Sequence, residues 1–145
     1  MTSFAPTGLA ADGGVLIVLG RLLAAAHPEE GCALLLGEAG SSLWHIQRLW
    51  PCRNVWPQRQ ERCERFAIDP REQLVAQRWA RQRGWQVLGV AHSHPTSAAV
   101  PSGTDCRLCL PPALMVIQGQ EGDLRAWWLG DGDRHPRPLP WRMVD

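Results

Sequence analysis

Residues 86–92 read Gln-Val-Leu-Gly-Val-Ala-His and constrain this chain more than any other stretch. The run is apolar and of strand length, with Gly84-Trp85 before it and Pro95 soon after. On a strand, side chains two apart share a face. His92 and His94 therefore aim both imidazoles one way, while Ser93 points opposite.

The surrounding patterns alternate between helical and strand-like. Residues 1–14 are poor in charge and rich in small residues, and read as a flexible leader to a domain over residues 15–145. Leu16, Leu19, Leu23 and Ala26 recur at helical spacing, predicting a buried helix over 15–26 that His27-Pro28 ends. Residues 32–36 form a continuous apolar run, as a central strand does. A turn over 38–42 and a strand over 43–50 complete a hairpin. Residues 51–61 read as a polar loop and 65–68 as a short strand. Asp69 as N-cap and Pro70 at the first helical position start a helix that runs to about Gln82. Its apolar face is expected at Leu74, Val75 and Trp79, and Gly84 stops it. Residues 113–118 and 124–129 are strands joined by a turn over 119–123, and a loop and a Pro-rich tail close the chain. The fold class is α/β, a mixed sheet flanked by helices.

A chain of 145 residues is long enough for one domain with a core. Net charge is +1, which gives no electrostatic case for nucleic acid or an anionic membrane as main partner. The apolar run over 15–19 is too short to span a bilayer and lacks signal-peptide flanks, so a cytoplasmic setting is expected. All 15 basic residues are arginine, which excludes a lysine Schiff base. The eight tryptophans exceed what a small core holds, so some are expected at the surface.

Two imidazoles on one face suit a divalent metal, and a carboxylate can add a third bond. Asp105 is the available carboxylate, returned by the loop after Pro95. Three protein ligands leave one position for water, the pattern of a catalytic zinc. Ser102-Gly103-Thr104-Asp105 also reads as a capping-box-like helix start, with Ser102 as N-cap. Upstream, Glu29 and Glu30 stand at a helix–strand junction, where either can be simply a solvated charge.

These residues together resemble a known family. His92-Ser93-His94-Pro95 followed by Ser102-Gly103-Thr104-Asp105 is similar to the signature of the JAMM (MPN+, Mov34/PAD-1) metallopeptidases. Residues 28–37, Pro-Glu-Glu-Gly-Cys-Ala-Leu-Leu-Leu-Gly, resemble the family's upstream block, with Ala33 where the family usually has glycine. The resemblance spans residues 15–129, is of the compact prokaryotic type, and implies a three-layer JAMM/MPN fold like that of cytidine deaminases. It implies one zinc ion with a bound water on His92, His94 and Asp105. It selects Glu30 as general acid/base and gives Ser102 a hydroxyl that steadies the developing oxyanion. It also implies a substrate: the C-terminal tail of a ubiquitin-like or sulfur-carrier-like protein, cut at a peptide or isopeptide bond. An extended tail of that kind can add as a strand beside the groove.

Two other classes compete. A non-catalytic scaffold of the same family would have lost its ligands, and here all remain. A zinc deaminase uses His-x-Glu and Pro-Cys-x-x-Cys. His27-Pro28-Glu29 and the Cys106/Cys109 pair mimic those pieces, but Asp105 replaces the proline and the separation is too long. The lone CxxC is expected to pack one face of a helix. Cys52 and Cys63 flank the polar loop and can face each other, but the odd total of five cysteines favours free thiols.

Overall fold

The structure, a computed structural model, describes residues 5–132 and 135–144. Among the described residues the α-helices are α1 (Gly13–Ala24), α2 (Pro70–Arg81) and α3 (Gly103–Leu108), with one 3-10 turn at Arg59–Glu61. The strands are β1 (Gly8–Asp12), β2 (Cys32–Ala39), β3 (Leu43–Cys52), β4 (Gln86–Ser93), β5 (Ala113–Gln118), β6 (Leu124–Leu129), β7 (Arg137–Leu139) and β8 (Trp141–Val144). They form one mixed sheet in the order β7-β6-β5-β4-β2-β3-β1-β8.

β2 lies near the middle, antiparallel to both β3 and β4. Its continuous apolar run is explained by burial on both faces. Ala33 and Leu35 pack with Leu19 and Leu23 of α1 in one core. Cys32, Leu34 and Leu36 pack with Ala76 and Ala80 of α2 in the other. Helices on opposite faces of a sheet make three layers, as the resemblance implied. Each fully buried leucine adds roughly 1.5–3 kcal/mol to the favourable side.

Local signals start the helices. The Asp12 carboxylate accepts from Val15 N at 2.7 Å and caps α1. Asp69 accepts from Arg71 N at 2.9 Å and caps α2, with Pro70 at its start. Gly84, at φ +74°, takes the left-handed turn after α2 that favours glycine.

Several expectations need correction. Residues 8–12 of the expected leader are not free; they form β1, paired in parallel with β3 and β8 and buried at Leu9, Ala10 and Ala11. The leader's first four residues lie outside the described residues. The Pro-rich tail supplies β7 and β8, which sit at the two edges of the sheet, where a proline's missing N–H is tolerated. The strand expected over 65–68 is an extended segment tied by Val55 N to Ala67 O at 2.9 Å. On α2, Leu74 and Val75 face out, and the small Ala76 and Ala80 sit against the sheet instead. Two alanines four apart bring the helix close, and Trp79 covers the flank.

This topology brings distant residues to one edge. β4 and β5 run parallel, with His92 opposite Ile117. β2 runs the other way, with Cys32 opposite His92. Glu30, just before β2, therefore arrives beside the end of β4. In α/β sheets, the carboxyl ends of parallel strands are where sites are built.

Candidate metal centre

His92 lies at the end of β4 and His94 just beyond it, with both imidazoles on the same face, as the two-residue period requires. α3 returns Asp105 to them. Nε2 of His92 lies 3.2 Å from Nε2 of His94 and 3.2 Å from Oδ2 of Asp105. Nε2 of His94 lies 3.0 Å from the same oxygen. Among the described residues, this is the one group of three such side chains whose ligand atoms lie within 4.8 Å of one another.

The donor chemistry tests whether a cation fits. His94 Nδ1 lies 2.8 Å from the Ala98 carbonyl oxygen, which can only accept. That nitrogen carries the proton, so Nε2 of the neutral ring is a bare lone pair. Between His94 Nε2 and the ionised Asp105 oxygen no proton is then available. A cation among the three atoms satisfies all of these contacts. Ligands about 2.0–2.1 Å from a tetrahedral ion stand about 3.3 Å apart, close to the separations seen here. The residues fit a zinc-like ion.

Charge follows the same pattern. Burial opposes ionisation of Asp105, yet hydrogen bonds with His92 and His94 and the Ser102 amide hold it well below the usual carboxylate range. Burial keeps His92 below the ordinary histidine value despite Asp105. Burial also disfavours the His94 cation, but Asp105, the Ala98 carbonyl and Glu30 outweigh it and raise its pKa. Phe66 stacks on the His92 ring with centroids 4.5 Å apart and holds its plane.

Of the two upstream acids, Glu30 is the buried one, 3% exposed. Its Oε1 has no hydrogen-bond partner among the described residues. Burial pushes its pKa up to about 8; His94 pulls it down, while Asp105 and Glu64 push it further up. A carboxyl that can hold or release a proton near neutral pH suits general acid–base work. Glu29 is half-buried and lines a different cavity.

Ser102 caps α3. Its Oγ accepts from Asp105 N at 3.0 Å, and its own N–H donates to Asp105 Oδ2 at 2.9 Å. The capping box expected from the sequence is therefore present, and it orients Asp105. The Ser102 hydroxyl proton remains available to a further acceptor.

Two positioning residues were not singled out in the sequence. Ser93 bonds Gly31, the residue after Glu30. Asn54 is a hub: its Nδ2 reaches the carbonyls of Glu30 (3.1 Å), Arg65 (2.9 Å) and Arg62 (3.4 Å). Its Oδ1 accepts from Trp56 N (3.1 Å) and Ala67 N (3.3 Å). An asparagine just after a strand, opening a polar loop, was the available signal.

The cysteines are free thiols. Cys52 lies opposite Cys32 across the β2–β3 pair, and Cys63 is exposed. Cys109 is not on the α3 face with Cys106; it ends the helix in extended conformation. Burial first, and then nearby negative charge, raise the pKa of both thiols. Neither cysteine joins a ligand group, and His27 lies in another cavity, so the deaminase pieces do not assemble among the described residues.

A groove of about 630 Å³ opens beside His92 and Asp105. Trp56, Phe66, Ile68, Leu108 and Met115 give it a largely apolar wall.

A three-layer α/β domain with a His-x-His and Asp cluster beside a buried glutamate is the architecture of a metal-hydrolase type. The comparisons supply the family. Residues 14–130 match the model described as prokaryotic homologs of the JAB domain, so the chain belongs to that family, the prokaryotic side of the JAMM/MPN group. The matched span contains Glu30, His92, His94, Ser102 and Asp105. The chain is 33% identical over 70 residues to a desampylase of Pyrococcus furiosus, covering 48% of this chain and 50% of that one. It is 33% identical over 111 residues to a probable TtuB-protein conjugate cleaving protease of Thermus thermophilus, covering 72% of each. Its match thus spans half the length of the first relative. A solution structure of a protein from Desulfitobacterium hafniense is similar at TM-score 0.81 and 26% identity, over 94% of this chain and 93% of that one. No helix among the described residues is long and apolar enough to cross a membrane.

Proposed function

We propose that this protein is a zinc-dependent peptidase or isopeptidase that cuts an amide bond at the C-terminal tail of a ubiquitin-like or sulfur-carrier-like protein. The observation that carries it is the convergence of His92 Nε2, His94 Nε2 and Asp105 Oδ2 to within 3.0–3.2 Å, beside the buried carboxyl of Glu30. The names of the two relatives, a desampylase and a conjugate-cleaving protease, support the substrate class. The reading places the protein in the cytoplasm, where free thiols persist.

His92, His94 and Asp105 would hold the ion. When bound, a zinc ion supplies Lewis acidity, acidifying water and polarising the scissile carbonyl. Glu30 takes the proton from the attacking water and passes it to the leaving nitrogen. Ser102 offers its hydroxyl to the carbonyl oxygen as charge builds there. The apolar groove receives the tail in extended form, with Trp56 and Phe66 along one wall.

The test joins metal analysis with a screen of ubiquitin-like carrier conjugates. Wild type is expected to carry one zinc per chain and to release the tail. Glu30→Gln is expected to keep the metal and lose about 10²–10⁴-fold in rate. Zinc-loaded wild type that leaves every such conjugate intact refutes the proposal.

A further inference from the structure

The groove beside the cluster is lined mostly by apolar side chains, so the few charged ones decide what it accepts. Asp105, which belongs to the cluster, and Arg65 are the acid and the base among the described residues that line it. Gln73 and Thr104 add only neutral polar groups. We propose that Arg65 determines specificity in this groove by binding a carboxylate of the substrate close to the scissile amide. The inference rests on the amide-hydrolase reading above and deepens it: the preferred substrate is acidic near the bond that is cut.

The first argument is positional. Arg65 stands on the face of the sheet that carries the cluster. It precedes Phe66, whose ring stacks on the His92 imidazole with centroids 4.5 Å apart. Arg65, Phe66, His92 and Asp105 line one groove. A chain that lies in this groove with its amide at the cluster therefore passes Arg65 close to the reacting bond.

The second argument is chemical. The guanidinium is held in place, yet its donors are unused. Its Cζ lies 5.5 Å from the centroid of the Trp56 ring, a cation–π distance. Its Nε lies 3.9 Å from Glu61 Oε1, too far for a hydrogen bond, and that oxygen already accepts from Trp56 Nε1 at 2.9 Å. Among the described residues, no acceptor takes a hydrogen bond from the Arg65 guanidinium. Arg62 of the same loop differs: its Nε donates to Trp56 O at 2.6 Å and so serves the fold. The planar fork of an arginine matches the two oxygens of a carboxylate. Stacking on an indole orders the fork in advance, which lowers the cost of binding. Phe66, Ile68, Leu108 and Met115 surround it with apolar wall, where a charge-assisted hydrogen bond is stronger than in open water.

A carboxylate can reach Arg65 from two sources. An acidic side chain in the tail lies on the acyl side of the bond. The α-carboxylate of a single leaving amino acid lies on the amine side. The recognition chemistry is the same, and the substrates separate the two.

Two sets of peptides that share a Gly-Gly acyl end test it. In the first, Glu, Gln or Lys is placed in turn at each of the residues just before the Gly-Gly. In the second, the leaving group is cysteine as the free acid or as its amide. Zinc-loaded wild type is expected to favour the acidic member of one set about tenfold in kcat/KM, the size of one charge-assisted hydrogen bond at a half-exposed site. Arg65→Gln is expected to bring that ratio close to one, and Arg65→Glu to invert it. A preference in the first set assigns Arg65 to the tail, and one in the second assigns it to the leaving residue. Substrates that are cut with the same ratios by wild type and Arg65→Glu overturn the inference and leave the hydrolase reading standing. If nothing is cut, binding to the metal-free protein decides. Acetyl-Glu-Gly-Gly amide or N-acetylcysteine is then expected to shift the Trp56 indole N–H resonance, while the Gln peptide and N-acetylcysteinamide leave it in place, and Arg65→Gln abolishes the shift. That result sinks the hydrolase reading and keeps the carboxylate site; an unmoved resonance sinks the site as well.

Discussion

Ser93 and Gly31 hold each other through two hydrogen bonds. Ser93 Oγ accepts from Gly31 N at 2.8 Å, and Ser93 N donates to Gly31 O at 3.0 Å. The pair joins the histidine strand to the residue after Glu30, across 62 positions of sequence. Gly31 has to be glycine for this approach, since a Cβ there would stand 2.5 Å from the Leu23 carbonyl oxygen. Ser93→Ala leaves the Gly31 N–H buried without its acceptor, which costs about 1–3 kcal/mol. Urea denaturation of the metal-free protein is expected to show that loss. Zinc affinity is expected to change less than kcat, because both imidazoles stay at the end of β4 while Glu30 loses its anchor. Equal losses in affinity and kcat would contradict this division.

Acid should strip an ion held by the proposed ligands, and the order of titration says where. Asp105 is held well below the usual carboxylate range, so it stays ionised at every working pH. His94 is raised above the ordinary histidine value of about 6.5, so it is the imidazole that protonates first as pH falls. His92 is lowered and protonates later. Affinity is therefore expected to hold at alkaline pH and to fall about tenfold per unit once pH drops through the His94 value, more steeply after His92 follows. A chelator competition from pH 8 to 5 measures it. Flat affinity across that range would place the ion elsewhere.

The parts legible in the sequence share one property: they are local. His92 and His94 follow from strand period, the Ser102/Asp105 box from spacing, and the α2 start from Asp69-Pro70. What the sequence did not reveal depends on distant partners. β1 looked like a leader because Gly8, Ala10 and Ala11 carry little side chain, and only β3 and β8 on either side make it a strand. β7 and β8 hide in a Pro-rich tail for the same reason. Leu74 and Val75 read as a buried face because hydrophobicity is visible in sequence and close helix approach through alanine is not. The choice of Glu30 over Glu29 rested on resemblance to the family block; burial supplies the physical reason.

Glu30 makes the metal-free protein's stability fall with pH. Its folded pKa is about 8, raised from 4.5 chiefly by burial. Between those values the unfolded chain has released the proton and the folded one retains it, so unfolding gains as pH rises. The full effect below pH 4.5 is nil, and it grows until Glu30 ionises near pH 8. At about 1.4 kcal/mol per unit, the difference is of order 5 kcal/mol. Glu30→Gln removes the ionisation. Metal-free Glu30→Gln is expected to match wild type near pH 4.5 and to become progressively more stable toward pH 9. Bound zinc is expected to shrink the gap by favouring the carboxylate. Parallel stability curves for the two proteins would show that Glu30 ionises in its ordinary range.

Asn54 ties the groove wall to Glu30, the acid proposed to transfer the proton. One amide side chain bonds the Glu30 carbonyl and also residues 56, 62, 65 and 67 of the loop that carries Trp56 and Phe66. The Glu30 N–H is bonded within the same loop, to Arg62 O at 2.7 Å. Asn54→Ala removes every one of the side-chain bonds while leaving Glu30, the histidines and Asp105 chemically intact. Several backbone groups are left to water or to one another, which should lower stability by about 2–3 kcal/mol. Hydrogen exchange at the Glu30 amide is expected to speed up selectively, while amides in β5 keep their protection. Zinc affinity should change little, because no ligand touches Asn54. Turnover should fall, with kcat reduced and KM raised together, since the same loop positions the base and lines the groove. Asn54→Asp keeps the Oδ1 acceptor for Trp56 and Ala67 but turns the donor into an anion facing carbonyls, so it should be as poor as alanine. If Asn54→Ala loosens the loop amides while kcat stays at the wild-type level, then the base is held by Ser93 and Gly31 alone.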